Sequence, residues 1–291
     1  MDTSSLTLQP LTSTIGARVV DLDPRDADDA QIAAVRDALS EHGVLVFHSP
    51  GMTVDEQVAF TRRFGPSHGH PVSEFLSGSA ADPVSVVENS ESKPPQDDQH
   101  FHTDYSFNTL TPDLAVLRAE VIPERGGDTI WSNAQAAHDG LSDRVKALIA
   151  DLEAVHDAGE RFWFEMDRTI GPEAAGRARR ALPGAVHPVV TAHPHSGRPV
   201  LFVNPGYTTQ LVDLRPRESR ALLGLLFDQL GDPAFHYRHH WQSGDVVMWD
   251  EHATVHRGPH DFYPAHRRLT RVTAGARAPV ALTSHLASVS P

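Results

Sequence analysis

Apolar residues change their spacing several times along the chain, and each change marks an element. "ARVVDL", near the N-terminus, reads as a short strand. "DDAQIAAVRDALSEHG" then puts Ile32, Val35 and Leu39 on one helical face and stops at Gly43. "VLVF" (44–47) is apolar throughout, as a buried strand requires. "TVDEQVAFTRRFG" opens with Thr53 and Glu56 at capping-box spacing, which predicts a helix ending near Gly65.

From Pro66 to Thr111 the pattern loosens into Ser, Pro, Asp and His. Within it "VSVVEN" (84–89) reads as a strand and "SESKPPQDD" as a loop. "DDQHFHTDYSF" (97–107) is expected to begin a further strand. "DLAVLRAEVIP" and, after a Gly-Gly turn, "TIWSN" are strand-like. "SDRVKALIADLEAV" predicts a helix capped by Ser142, with Val145, Leu148, Ile149 and Leu152 as its stripe. The segment from Glu160 to Pro183 has no assigned period.

"HPVVTAHPHSGRPVLFVN" reads as strand, turn, strand. "RESRALLGLLFDQL" is a helix with Leu222, Leu226 and Leu230 in line. "HYRHHW", "GDVVMWDE", "ATVHRG" and "RRLTRVTAG" are short strands, and the closing "LASVSP" is expected to fray. Short strands with Pro and Gly turns, plus a few helices, predict a mainly β, α+β fold. The expectation is a sandwich or jelly roll with helices outside it, as one domain over 1–291.

Composition narrows the function. The net charge of −13 argues against a nucleic-acid or anionic-membrane surface. No apolar run reaches the ~20 residues of a membrane helix, and the acidic-polar start lacks the features of a signal peptide, so a cytoplasmic location is expected. The absence of cysteine excludes disulfides, thiolate metal sites and cysteine nucleophiles. The 19 histidines are the oddity, and only their spacing can single out functional ones.

On a strand, residues i and i+2 share a face. His100, His102 and Asp104 then point one way and Phe101, Thr103 and Tyr105 the other, so spacing leaves open which histidine pairs with the aspartate. The C-terminal third adds His252 and His256, then Arg267, Arg268 and Arg271. Two histidines and one carboxylate occupy one face of an octahedron and leave three positions open, the arrangement of non-haem Fe(II) oxygenases. A chelating 2-oxo acid takes two of these and O2 the third. A far carboxylate on that acid calls for a planar guanidinium. Arg267 and Arg271 share a face by alternation while Arg268 points away. With a turn at "DFYP", His256 and these arginines are expected on neighbouring antiparallel strands.

These segments together resemble the taurine dioxygenase (TauD/TfdA) family of Fe(II)/2-oxoglutarate-dependent dioxygenases. "FHTDYSF" resembles the family's aromatic-His-Thr-Asp segment and "GGDTIWSNAQAAHDGLS" its Gly-Gly-x-Thr-x-Trp segment. "LFVNPGYTTQLVD" and "GDVVMWDEHATVHRG" follow in the family's order, so that the likeness covers about residues 5–280.

The resemblance implies a double-stranded β-helix and selects His102, Asp104 and His256 as the Fe(II) ligands. It implies Thr129 and Arg267 as holders of the distal carboxylate of 2-oxoglutarate. Arg271 would bind a substrate anion or brace the inner carboxylate. His70 would face the substrate anion, and Phe162 and Tyr207 would line the pocket. Ser73 and Asp98 stand where taurine-specific members hold the substrate amine, Tyr105 where a small aliphatic residue is frequent, and Tyr207 where phenylalanine is common.

The implied activity is oxidative decarboxylation of 2-oxoglutarate coupled to C–H hydroxylation of a small anionic substrate, taurine-like or related. The alternatives are a biosynthetic oxygenase acting on an amino-acid-like or natural-product substrate and, from another class, a non-catalytic metal-binding jelly roll. The resemblance also implies a dimer or tetramer. "SESKPPQDD" and the stretch from Arg161 to Asp167 are the candidate lids.

Overall fold

The computed structural model describes residues 6–72, 82–95 and 100–289. Within them the fold is mixed α/β with several sheets. The large sheet runs in the order Leu8–Pro10, Ala17–Val19, Val44–His48, Asp245–Asp250, Leu114–Val121, Arg267–Ala274, Ser67–His68, and Val84–Asn89 also pairs with Arg267–Ala274. Its pairs are antiparallel except for Ala17–Val19 with Val44–His48. The helix Asp29–His42 makes that crossover, because parallel strands cannot be joined by a tight turn. Its capping box is formed by Asp28 and Gln31, and Gly43 closes it at φ 69°. The capping box of Thr53 and Glu56 on helix Val54–Arg62 also forms in both halves.

A second sheet, in the order His236–His239, Thr129–Asn133, Thr254–Arg257, packs against the first. The strand Asp245–Asp250 shows why "VVMW" is continuously apolar. Alternation sends Val246 and Met248 into the core beneath helix Asp29–His42, and Val247 and Trp249 into the core between the two sheets, beside Trp131. Trp131 and Trp249 are almost wholly buried there. Each such ring contributes about 2–3 kcal/mol by burial. A third sheet, Thr208–Leu211, Glu153–His156, Ala185–Pro188, and the hairpin Val190–Ala192 with Pro199–Leu201 complete the strands.

The structure corrects several readings. The helix after Ser142 ends at Ile149, and Leu148 is exposed. Residues 153–156 instead form a strand paired on both edges, so tertiary pairing overrides local helical spacing. The unassigned stretch holds the helices Gly159–Ile170 and Pro172–Ala181, joined at Gly171. Phe162, Met166 and Ile170 at four-residue spacing were the signal for the first. The chain end is helical over Leu282–Val289.

Candidate metal and cosubstrate site

His102 and His256 meet through paired backbone bonds, His102 N to His256 O at 2.9 Å and His256 N to His102 O at 2.8 Å. Their rings lie 4.3 Å apart. This bridge is isolated: the chain does not continue as a strand. It turns instead, with Ser106 N on Thr103 O and Asn108 N on Tyr105 O, and Tyr105 takes φ 55°. The turn is what brings Asp104 to the histidines, in place of the expected strand alternation. It also brings Tyr105 to the same site rather than to an opposite face.

The Nε2 atoms of His102 and His256 lie 3.7 and 3.9 Å from Asp104 Oδ1. One ligand atom from each residue falls within 4.8 Å of the others, a spacing that fits one ion. His100 is exposed, but its carbonyl lies 3.0 Å from His102 Nδ1. That bond puts the ring proton on Nδ1 and leaves the Nε2 lone pair for a metal. His252 points elsewhere, its Nε2 3.3 Å from Asp113.

Burial alone would raise the Asp104 carboxyl. Arg271, then His256 and His102, override it and hold it at about 2. Arg271 Nη1 reaches both Asp104 oxygens at 2.7 Å, and Nη2 donates to the Tyr105 hydroxyl at 2.9 Å. Burial, then the charge of His102, pushes His256 well below the usual histidine range, keeping it neutral as a ligand must be.

Sequence reasoning missed Glu251. It is fully buried, accepts Asp104 N at 3.0 Å and accepts Trp249 Nε1 at 2.7 Å. Burial, then the charge of Asp104, raises its carboxyl well above the usual range. An acidic residue directly after the apolar strand "VVMWD" was the available signal.

A cleft of about 320 Å³ runs from the histidines to Thr129, Arg267 and Arg271. Arg267 is buried. Its Nε donates to Gly127 O at 2.7 Å and its Nη2 to Thr129 Oγ1 at 3.3 Å, both neutral oxygens. Burial lowers it only to about 10, so it stays charged at neutral pH and asks for an anion. Gly127 sits at φ 72°, and a Cβ there would come within 3.0 Å of Arg267 Cδ, which accounts for that glycine of the Gly-Gly pair. Arg268 turns outward to Glu120 and Glu88, as alternation predicted.

His256 and the arginines are not on neighbouring strands. Thr254–Arg257 belongs to the second sheet and Arg267–Ala274 to the first, and they face each other across the cleft. The residues between them cross from one sheet to the other.

On the other side of the triad, aromatic rings crowd together. His70 is 5.1 Å from Tyr105 and 6.3 Å from Phe162, and Tyr207 is 5.9 Å from His102 and 5.0 Å from Phe107. Burial, then Arg271, lowers His70 to about 4, so it is neutral near pH 7. Its Nδ1 accepts from Val72 N at 3.2 Å, which leaves the proton on Nε2 as a donor. Phe162 comes from helix Gly159–Ile170, which also carries the candidate lid from Arg161 to Asp167. Ser73 and Asp98 lie outside the described residues.

The profile described as "Taurine catabolism dioxygenase TauD, TfdA family" matches residues 7–273. The chain belongs to the TauD, TfdA dioxygenase family. It is an α-ketoglutarate-dependent dioxygenase of that family, with the His-Asp-His group in place. Among curated relatives it is similar to an alkylsulfatase of Acinetobacter baylyi, 31% identical over 93% of this chain and 85% of the relative. It is likewise similar to the α-ketoglutarate-dependent 2,4-dichlorophenoxyacetate dioxygenase of Cupriavidus pinatubonensis, 32% identical over 92% and 97%. Among solved structures, a taurine dioxygenase from Burkholderia xenovorans superposes with a TM-score of 0.77 at 30% identity, covering 95% of this chain and 93% of that one. No helix among the described residues is long and apolar enough to cross a membrane.

Proposed function

We propose that this TauD-family dioxygenase uses Fe(II), held by His102, Asp104 and His256, and that Thr129 and Arg267 bind the distal carboxylate of 2-oxoglutarate. One observation carries the reading: a single cleft has a His-His-carboxylate donor set at one end and, at the other, a buried guanidinium hydrogen-bonded to neutral oxygens. The donors fit the metal, being two neutral imidazoles and a carboxylate with open positions beside them. Bound Fe(II) would supply the redox chemistry that turns 2-oxoglutarate and O2 into succinate and CO2 as a substrate C–H is hydroxylated.

The protein's own groups bind and orient. His100 O fixes the His102 tautomer, and Glu251 holds the backbone of Asp104. Arg271 braces Asp104 and the inner end of the cosubstrate. His70 Nε2–H and the rings of Tyr105, Phe162 and Tyr207 receive the substrate and exclude water. We infer a small anionic substrate of the sulfonate, sulfate-ester or aryloxy-acid type, because relatives are named for taurine, alkyl sulfates and 2,4-dichlorophenoxyacetate. Ser73 and Asp98 complete that pocket in this reading. The two packed sheets form a double-stranded β-helix, in one domain over 1–291. A cytoplasmic homodimer or tetramer follows from the same reading.

The test is substrate-dependent succinate formation by the Fe(II)-loaded protein, with 2-oxoglutarate and O2. The panel holds alkanesulfonates, alkyl sulfate esters, aryloxyacetates and amino acids. Stimulation by one of the anionic classes is expected. Stimulation by amino acids alone would overturn the substrate assignment, and absence of succinate from every member would overturn the metal and cosubstrate roles.

A further inference from the structure

Thr129 opens the central strand of the second sheet and lies opposite His239 in register. Two residues past His239, Trp241 folds its indole back toward Thr129, its ring edge-to-face with His239 at 4.7 Å. Trp241 Nε1 donates to Thr129 Oγ1 at 3.0 Å, and Arg267 Nη2 donates to the same oxygen at 3.3 Å. All three residues are buried, at 7%, 4% and 6% exposure.

An indole N–H and a guanidinium N–H can only donate. A hydroxyl oxygen has two lone pairs and one hydrogen. Both lone pairs of Thr129 Oγ1 are thus engaged, one from each side. Its hydrogen is left to be given away, and the residue lines the cleft. Without Trp241 the hydroxyl keeps a free lone pair and accepts from a ligand as readily as it donates.

We propose that Trp241 is a positioning residue that locks the Thr129 hydroxyl as an obligate donor to the distal carboxylate of 2-oxoglutarate. The inference rests on the cosubstrate role proposed above for Thr129 and Arg267. Arg267 supplies the charge. The locked hydroxyl adds a requirement that the bound group have no hydrogen of its own at that position. A carboxylate meets it, whereas a carboxamide meets it in only one of its two orientations.

The decisive variant replaces Trp241 by site-specific incorporation of 3-benzothienylalanine, which keeps the ring shape and puts sulfur where the N–H was. Trp241→Phe is a second variant, and the first decides if that one fails to fold. Anaerobic calorimetric titration of the Fe(II)-loaded protein with 2-oxoglutarate and with 2-oxoglutaramate, its distal carboxamide, gives the two affinities. Binding of 2-oxoglutarate should weaken about three- to tenfold, the worth of one buried hydrogen bond. Binding of 2-oxoglutaramate should change less, so that the preference for carboxylate shrinks.

In a Thr129→Val background the same replacement should have no further effect. Wild-type affinity in the benzothienyl protein, or a weakening that persists in Thr129→Val, overturns the role of Trp241. Wild-type affinity in both Thr129→Val and Arg267→Ala overturns the cosubstrate reading beneath it, a different and separable failure.

Discussion

The two sides of the metal triad are built from different material. The side proposed for the cosubstrate stands on strands: Thr129 begins one, Arg267 begins another, and Trp241 follows a third. Sheet register sets their separation, and two packed sheets hold it. The side proposed for the substrate stands on a loop (His70), a turn (Tyr105 and Phe107) and a helix that, among the described residues, packs in a small cluster (Phe162). A strand-built site is hard to alter without losing the fold. A loop-built site can change its side chains while the fold persists. On the proposed roles, cosubstrate binding therefore rests on the first side and substrate choice on the second.

The largest test of that division is loss of the triad. His102→Ala or Asp104→Ala should abolish Fe(II) stoichiometry by metal analysis and succinate formation with it, while His100→Ala, which leaves the carbonyl in place, should keep both. If His100→Ala loses iron, the ligand assignment is wrong. Arg267→Ala should raise the KM for 2-oxoglutarate about one hundredfold, because a buried charge-assisted contact is lost. A normal KM would detach Arg267 from the cosubstrate side.

The turn that carries Asp104 and Tyr105 is backed by His156, whose Nδ1 lies 3.1 Å from Ser106 Oγ. Burial, then the charge of His187, lowers His156 from the ordinary 6.5 to about 3. Between these values the unfolded chain binds a proton that the folded one does not, so stability falls as pH drops below 6.5. The loss attributable to His156 is about 3 kcal/mol by pH 4.5. Urea unfolding at pH 7.5 and 4.5 should show a smaller difference for His156→Gln than for the wild type. An unchanged difference would mean that His156 is not buried neutral.

Glu251→Gln, which keeps an acceptor for Asp104 N, should retain iron, whereas Glu251→Leu should weaken iron binding about ten- to a hundredfold by leaving that N–H unpaired. Equal iron affinity in the two variants would remove Glu251 from the positioning of Asp104. The smallest expected effect sharpens the comparison most. Tyr105→Phe releases one Arg271 N–H on the substrate side, so it should change the ranking of substrates in the panel. It should move the KM for 2-oxoglutarate less than about twofold, because both bonds from Arg271 to Asp104 stay in place and only the one to the Tyr105 hydroxyl is lost. A larger cosubstrate effect would show that the two sides are not separable.

Legibility in the sequence followed the range of the interactions. The capping box at Thr53, the stop at Gly43 and the short strand in "GDVVMWDE" are local, and they were readable. So were Arg267 inward and Arg268 outward. The strand at residues 153–156 was hidden because helical spacing ran on past Ile149, and pairing with two partners distant in sequence decided otherwise. In the sequence, the helix Gly159–Ile170 is marked by Phe162, Met166 and Ile170 at four-residue spacing. Glu251 and Trp241 gave little sign, since a buried acid and an indole that locks a hydroxyl are recognisable only by what surrounds them.

The sequence by itself determined the ligand types, the paired arginines and the order of motifs that marks the family, because side-chain chemistry and short spacings are properties of the chain. Spacing left open His100 against His102, and His252 against His256, and the family resemblance selected His102 and His256. Only the tertiary structure decided how the ligands meet. Asp104 meets the two histidines within a turn that runs on through Tyr105, and two sheets, not two neighbouring strands, bring His256 opposite Arg267. Those distances are set by packing between residues far apart in sequence, which no local pattern encodes.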